Sequence, residues 1–209
     1  MATDALGENL AATNNAPPQR AAADQPLAAP PHHRWPVKTG ADPAAAKLVG
    51  QSPTATTIAH LVSLPVPAVL PEEARTAGTE ETVWQVQATL IGYKQELDAD
   101  YHLVIKDGNG NTMVAEIPNP ADLTPGGFFT QQIAAARNAF DGRFGALRLE
   151  ALAPGVEPKL TAVTESVTII GLGFFDYKHG QDGCAPNAIE LHPVISVEFQ
   201  GPAQAPAGA

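Results

Sequence analysis

Three segments alternate apolar and polar residues with a period of two: "VWQVQATLIGYK" from Val83, "DYHLVIK" from Asp100 and "TMVAEIP" from Thr112. That period belongs to strands with one face on a core. The last two segments are separated only by "DGNGN", a hairpin connection. If Gly108, Asn109 and Gly110 form a three-residue loop, Gly110 takes the left-handed position such loops require. Lys106 then pairs with Thr112, Val104 with Val114, and His102 with Glu116. This register gathers Tyr101, Leu103 and Ile105 on one face with Met113, Ala115 and Ile117, leaving His102 opposite Glu116 on the other.

A helical stretch follows, "TQQIAAARNAFDGRF", in which Ile133, Arg137, Phe140 and Phe144 recur at helical spacing. Thr130 is the expected N-cap, and Gly142 lies near the stop. Two more strands come next, "VTIIGLGFFD" and "IELHPVISVEF", the second turning Ile189, Leu191, Ile195, Val197 and Phe199 inward. Three strands, a helix and two strands is the order of a five-stranded Greek-key barrel of the OB type. The expected fold is therefore mainly β, an OB-like barrel over residues 83–200 with one helix between strands three and four. Gly92, Gly171 and Gly173 supply its bends, and Pro193 suits the seam beside strand five. An open antiparallel α+β sheet is the alternative.

Residues 1–36 are rich in Ala and Pro and poor in large apolar side chains, so a disordered leader is expected there. The end of the chain, 201–209, reads the same way. Residues 37–82 form an extended arm expected to lie over the domain, with a short helix in "TTIAHLVSLP" capped by Thr56 or Thr57 and stopped by Pro65.

Composition narrows the chemistry. The 12 Lys and Arg against 22 Asp and Glu give a formal charge of -10, which disfavours non-specific nucleic-acid binding and attracts divalent cations or basic partners. The single cysteine, Cys184, excludes an intrachain disulfide and a cysteine-based zinc site, and nothing around it marks a nucleophile. No run of 18 apolar residues exists to span a membrane, and the start as given lacks the pattern of a signal peptide. The compartment stays open between the cytoplasm and an exported mature form.

"KDGNGNT" opens like an EF-hand loop with Asp107, Asn109 and Asn111, but Thr112 and Pro118 stand where Gly and Glu are needed, so the hairpin reading wins. "GLGFFD" fails as a dinucleotide fingerprint because Asp176 replaces the third glycine and no helix follows. No serine nucleophile or Walker pattern is present.

In an OB-like barrel strand five lies beside strand three, which brings Glu190 and His192 toward His102 and Glu116. Two imidazoles and two carboxylates there form a candidate site for a divalent cation, with calcium, manganese and zinc as candidates. The "ELDAD" turn offers Glu96, Asp98 and Asp100 as further oxygen ligands. The competing reading is a solvated face with ordinary cross-strand contacts. The loop Tyr177 to Ala188 joins strands four and five, where OB folds bind ligands. Tyr177, His179, Gln181 and Asn187 are its candidate ligand-binding residues, with Phe174 and Phe175 offering a stacking surface. Against this, the polar residues of the loop serve equally well to brace its own backbone.

"DADYHLVIKDGNGNTMVAEIP" and "GFFDYKHGQDGCAPNAIELHPVISVEF", with "WPVKTGAD" and "TTIAHL", resemble a family of bacterial proteins that has no established activity. The likeness covers roughly residues 35–199 and implies a bacterial source, but assigns no catalytic residue. Many members of that family look exported. A broader likeness is to thermonuclease-type OB nucleases, which pair calcium-binding carboxylates with phosphate-clamping arginines. Here Arg137, Arg143 and Arg148 lie in or after the helix, so no residue carries over.

Three functions compete. The first is an OB-like binding module for a polar ligand: an oligosaccharide, a protein or an oligonucleotide. The second is a metal-dependent hydrolase, such as a phosphodiesterase, using the His–carboxylate cluster. The third is a structural or assembly subunit whose arm docks on a neighbour.

Overall fold

The computed structural model describes residues 33–148, 158–178 and 180–201. Its strands are β1 (Thr54–Thr56), β2 (Val83–Gln95), β3 (Tyr101–Lys106), β4 (Thr112–Ile117), β5 (Thr161–Phe175) and β6 (Ile189–Phe199). The α-helices are α1 (Trp35–Lys38), α2 (Ile58–Val62) and α3 (Thr130–Phe144). The fold is mainly β, a six-stranded mixed sheet in the order β1-β2-β3-β4-β6-β5. β2 also pairs with β5, so hydrogen bonding runs in a closed ring through the five long strands. β4 and β6 are parallel, and the other neighbours within the ring are antiparallel. β1 pairs with β2 at Trp84 to Val86, where β3 does not reach, and covers a backbone edge that would otherwise stand open.

The hairpin has the register its alternation predicts: Lys106 opposite Thr112, Val104 opposite Val114, and His102 opposite Glu116. Gly110 has φ 92° as the loop demands. The Asp107 carboxylate is spent on that turn, accepting from the Asn109 and Asn111 amides and the Asn111 side chain. Tyr101, Leu103, Ile105, Met113, Ala115 and Ile117 all enter the core, together with Ile133 and Phe140 from α3.

Four local expectations need correction. Thr130 is the first residue of α3 rather than its cap, the cap position being Phe129, and Gly145 at φ 81° ends the helix rather than Gly142. On β6 the turn inward passes to Val194, fully buried, because β5 and β6 shift register around Gly171 and Gly173. Phe174 and Phe175 are buried and offer no stacking surface. Residues 33–36, expected in a disordered leader, belong to the folded unit, while 1–32 lie outside the described residues.

The reason for that last change is Arg34, which is 1% exposed. Its guanidinium meets Glu80 with two bonds of 2.6 and 2.8 Å and donates also to the carbonyls of Phe175, Pro71 and Ala74. Every N–H of the fork is thereby used. Arg75 adds a second buried pair with Asp42, at 2.9 Å. Apolar Val37, Ala45, Leu48, Ile58 and Leu61 of the same segment are buried as well. The segment 37–82 therefore packs on its own domain, and α2 carries the expected Thr57 cap on the His60 amide. Among the described residues, no helix is long and apolar enough to cross a membrane.

Candidate metal centre

The outer face of β3 and β4 is covered, not solvated. His102, Val104 and Val114 are buried with His192 and Glu190 of β6, and Glu116 is nearly so. The covering pieces are α1 and the loop between β5 and β6. Gly183 of that loop sits against Val104 at φ 76°, where a Cβ would overlap the valine methyls. Only glycine satisfies both the backbone angle and the contact.

The parallel pairing of Val114 with Glu190 and Ala115 with Leu191 brings the β6 residues beside Glu116. His102 Nδ1 lies 3.0 Å from Glu116 Oε1 and 3.3 Å from Glu96 Oε1. His192 Nδ1 lies 3.1 Å from Glu116 Oε2, and its Nε2 is 3.7 Å from Asp100 Oδ2. Two ligand triads result, Glu96–His102–Glu116 and Asp100–Glu116–His192, each with atoms within 4.8 Å of one another. Of the four residues expected from the pattern, His102, Glu116 and His192 enter these triads, Glu190 is buried but enters neither, and the "ELDAD" turn contributes Glu96 and Asp100.

The imidazole of His102 is oriented by the chain. Its Nε2 is 2.8 Å from the Asp182 carbonyl, which only accepts, so Nε2 carries a proton. A neutral His102 therefore aims its Nδ1 lone pair at two carboxylate oxygens. A proton or a metal ion must lie between them. Burial alone would lower the His102 pKa, but the Glu116 hydrogen bond and the nearby carboxylates raise it. Burial likewise works to raise Glu116, yet His102, His192 and Lys38 hold its carboxyl far below the usual range.

The β6 side is short of partners. Both oxygens of Glu190, both ring nitrogens of His192 and Asp100 Oδ2 are buried without a hydrogen bond; the 3.1 Å approach of His192 to Glu116 lies off the line a hydrogen bond needs. Burial pushes His192 down to about 4, leaving it neutral. Burial, then the charges of Asp176 and Glu116, push Glu190 well up, and burial with Asp98 and Glu116 does the same to Asp100.

Lys38, on α1, answers this field. Burial opposes its charge, but Glu116, Asp176, Glu190 and Asp98 raise its pKa, and its ammonium lies 3.5 Å from Asp176. Lys94 spans Glu96 and Asp182 at 3.2 and 3.3 Å. No spacing in the sequence singles out Lys38; the arm brings it to the strands from outside the barrel pattern.

The loop residues expected to bind a ligand have other work. Asn187 Nδ2 donates to the Leu61 and Leu64 carbonyls at 2.9 and 3.0 Å, tying the loop to α2, so it is a brace rather than a ligand-binding group. Gln181 donates to Asp176 and to the Tyr177 carbonyl, both at 3.3 Å. Tyr177 packs on the His33 ring, centroids 4.1 Å apart. His179 lies outside the described residues. An open groove of about 450 Å³, lined by Trp35, Leu97, Asp98, Ala99, Asn119 and Asp122, borders the turn that carries Asp100.

No protein-family model, no curated protein and no solved structure matches this chain.

Proposed function

We propose that this protein is an OB-type barrel that works as a divalent-cation-binding module, with the ion held by Glu96, His102 and Glu116. The barrel reading is supported by the ring β2-β3-β4-β6-β5, the parallel β4–β6 pair, and α3 between β4 and β5. The observation that carries the cation is His102. Its Nε2 is committed to the Asp182 carbonyl, so its Nδ1 and two carboxylate oxygens converge on one point that a proton or a cation must occupy. Imidazole with carboxylate suits manganese or zinc better than calcium, which prefers oxygen alone. The covered state of the strand face speaks against an oligosaccharide, oligonucleotide or protein lying along it.

Calorimetric titration of chelator-treated protein with calcium, manganese and zinc tests this. Saturable manganese or zinc binding, weakened at least tenfold in His102→Ala and exceeding calcium binding, is the expected result. Absence of binding by the unaltered protein overturns it, and leaves a protonated His102 with Lys38 and Lys94 as counter-charges to the carboxylates.

One observation favours a second reading, a metal-dependent hydrolase. The Glu96 side chain is 22% exposed and that of Asp182 53%, so an ion on this side faces solvent and can keep a position for water. Turnover of phosphodiester or ester substrates by the metal-loaded protein, lost in His102→Ala, would establish that activity.

A further inference from the structure

We infer that the centre takes two divalent ions, bridged by the carboxylate of Glu116. The inference rests on the cation-binding reading above and extends it. The two oxygens of Glu116 face different partners: Oε1 is 3.0 Å from His102 and Oε2 is 3.1 Å from His192. Each oxygen belongs to a triad completed by a different carboxylate, Glu96 in one and Asp100 in the other. A single ion on the His102 side leaves the second triad unexplained. There His192 is wholly buried with neither ring nitrogen hydrogen-bonded, Asp100 Oδ2 is unpartnered, and Glu190, 1% exposed, has no partner for either oxygen. Buried polar atoms are rarely left in this state unless something outside the chain satisfies them.

Charge points the same way. Lys38 is the nearby cation on α1, and its ammonium lies with Asp176 at 3.5 Å, while Lys94 is engaged by Glu96 and Asp182. Neither donates a hydrogen bond to Glu190 or to Asp100 Oδ2. A second ion among Asp100, Glu116 and His192, with Glu190 on the neighbouring strand, supplies the positive charge these carboxyls need to ionise. A carboxylate that gives one oxygen to each ion is the common bridge of paired-metal sites, whose ions stand about 3.5–4 Å apart. The ions differ in access. The one at Glu96 meets solvent and exchanges quickly, whereas the one at His192 is enclosed by residues that are 0–1% exposed apart from Glu116.

Manganese is the probe. Equilibrium dialysis with metal analysis is expected to give two equivalents per chain, released by chelator in a fast and a slow phase. The electron paramagnetic resonance spectrum should show exchange-coupled manganese. His192→Ala should retain one equivalent with the uncoupled spectrum of isolated manganese, and Glu116→Ala should weaken both sites at least tenfold. The unaltered protein alone decides the question if a variant fails to fold. One equivalent with an uncoupled spectrum overturns the two-ion centre and leaves the cation-binding reading standing. No manganese bound overturns the two-ion centre, and no zinc bound either overturns the cation-binding reading with it.

Discussion

At the residue scale, Gly183 joins the fold to the site. Its neighbour Asp182 fixes His102 through a backbone carbonyl, and its own lack of a Cβ lets the loop rest on Val104. In Gly183→Ala the methyl meets the valine while the backbone is held at φ 76°. Left-handed strain of about 1–2 kcal/mol and overpacking of about 1–3 kcal/mol should lower stability by roughly 2–5 kcal/mol, read from a urea midpoint. Metal affinity should fall with it, since the carbonyl that orients His102 moves. A variant as stable as the parent and binding metal as tightly would show that the loop does not position the imidazole. His102 and Glu116 were legible from the period of two and the loop length alone. Lys38 was not, because what places its ammonium is the docking of α1 and not any local pattern.

Among the elements, the arm departs most from what its sequence suggests. "HHRWP" has no periodicity and lies in Ala- and Pro-rich surroundings, so nothing local marks Arg34 as buried. The mark is Glu80, far along the chain and visible only after folding. The pair closes the arm onto the end of β5, since Glu80 also accepts from the Phe175 and Thr76 amides. Burial alone would raise the Glu80 pKa, but Arg34 and those two amides outweigh it and lower it. A lowered folded pKa contributes stability above the unfolded value, about 4.3, and loses it as the pH falls through the folded pKa. Glu80→Gln leaves the Arg34 charge buried and should cost about 3–5 kcal/mol at neutral pH. The acid-side slope of its stability against pH should be shallower than in the parent, as urea melts from pH 7 downward would show. Equal slopes would mean that the pair does not hold the arm.

At the scale of the whole molecule, the period-two runs and the single helix made a mainly β chain legible, and the order of elements suggested the ring. The register of the closure of β2 on β5 was not legible, because it joins segments distant in sequence across a shift between Leu90 and Gly92. The outer face of β3, β4 and β6 is a buried layer under α1 and the loop between β5 and β6. The molecule thus encloses carboxylates that a domain selected for stability alone would not keep. Glu190 is the sharpest case, with neither oxygen partnered. Replacing it by glutamine keeps the shape and removes the group that ionises to hold a cation. Without metal, burial keeps the Glu190 carboxyl protonated, so Glu190→Gln exchanges one neutral polar group for another and should stay within about 1 kcal/mol of the parent. With manganese in hundredfold excess over its dissociation constant, the parent should gain about 2.7 kcal/mol, and the variant clearly less. Each kcal/mol is worth about 2–4 °C in Tm for a domain of this size, so paired melts with and without manganese resolve the difference. A variant that matches the parent without metal and falls behind it with manganese would show that Glu190 is kept for the ion. A variant less stable than the parent under both would make it a structural carboxylate after all.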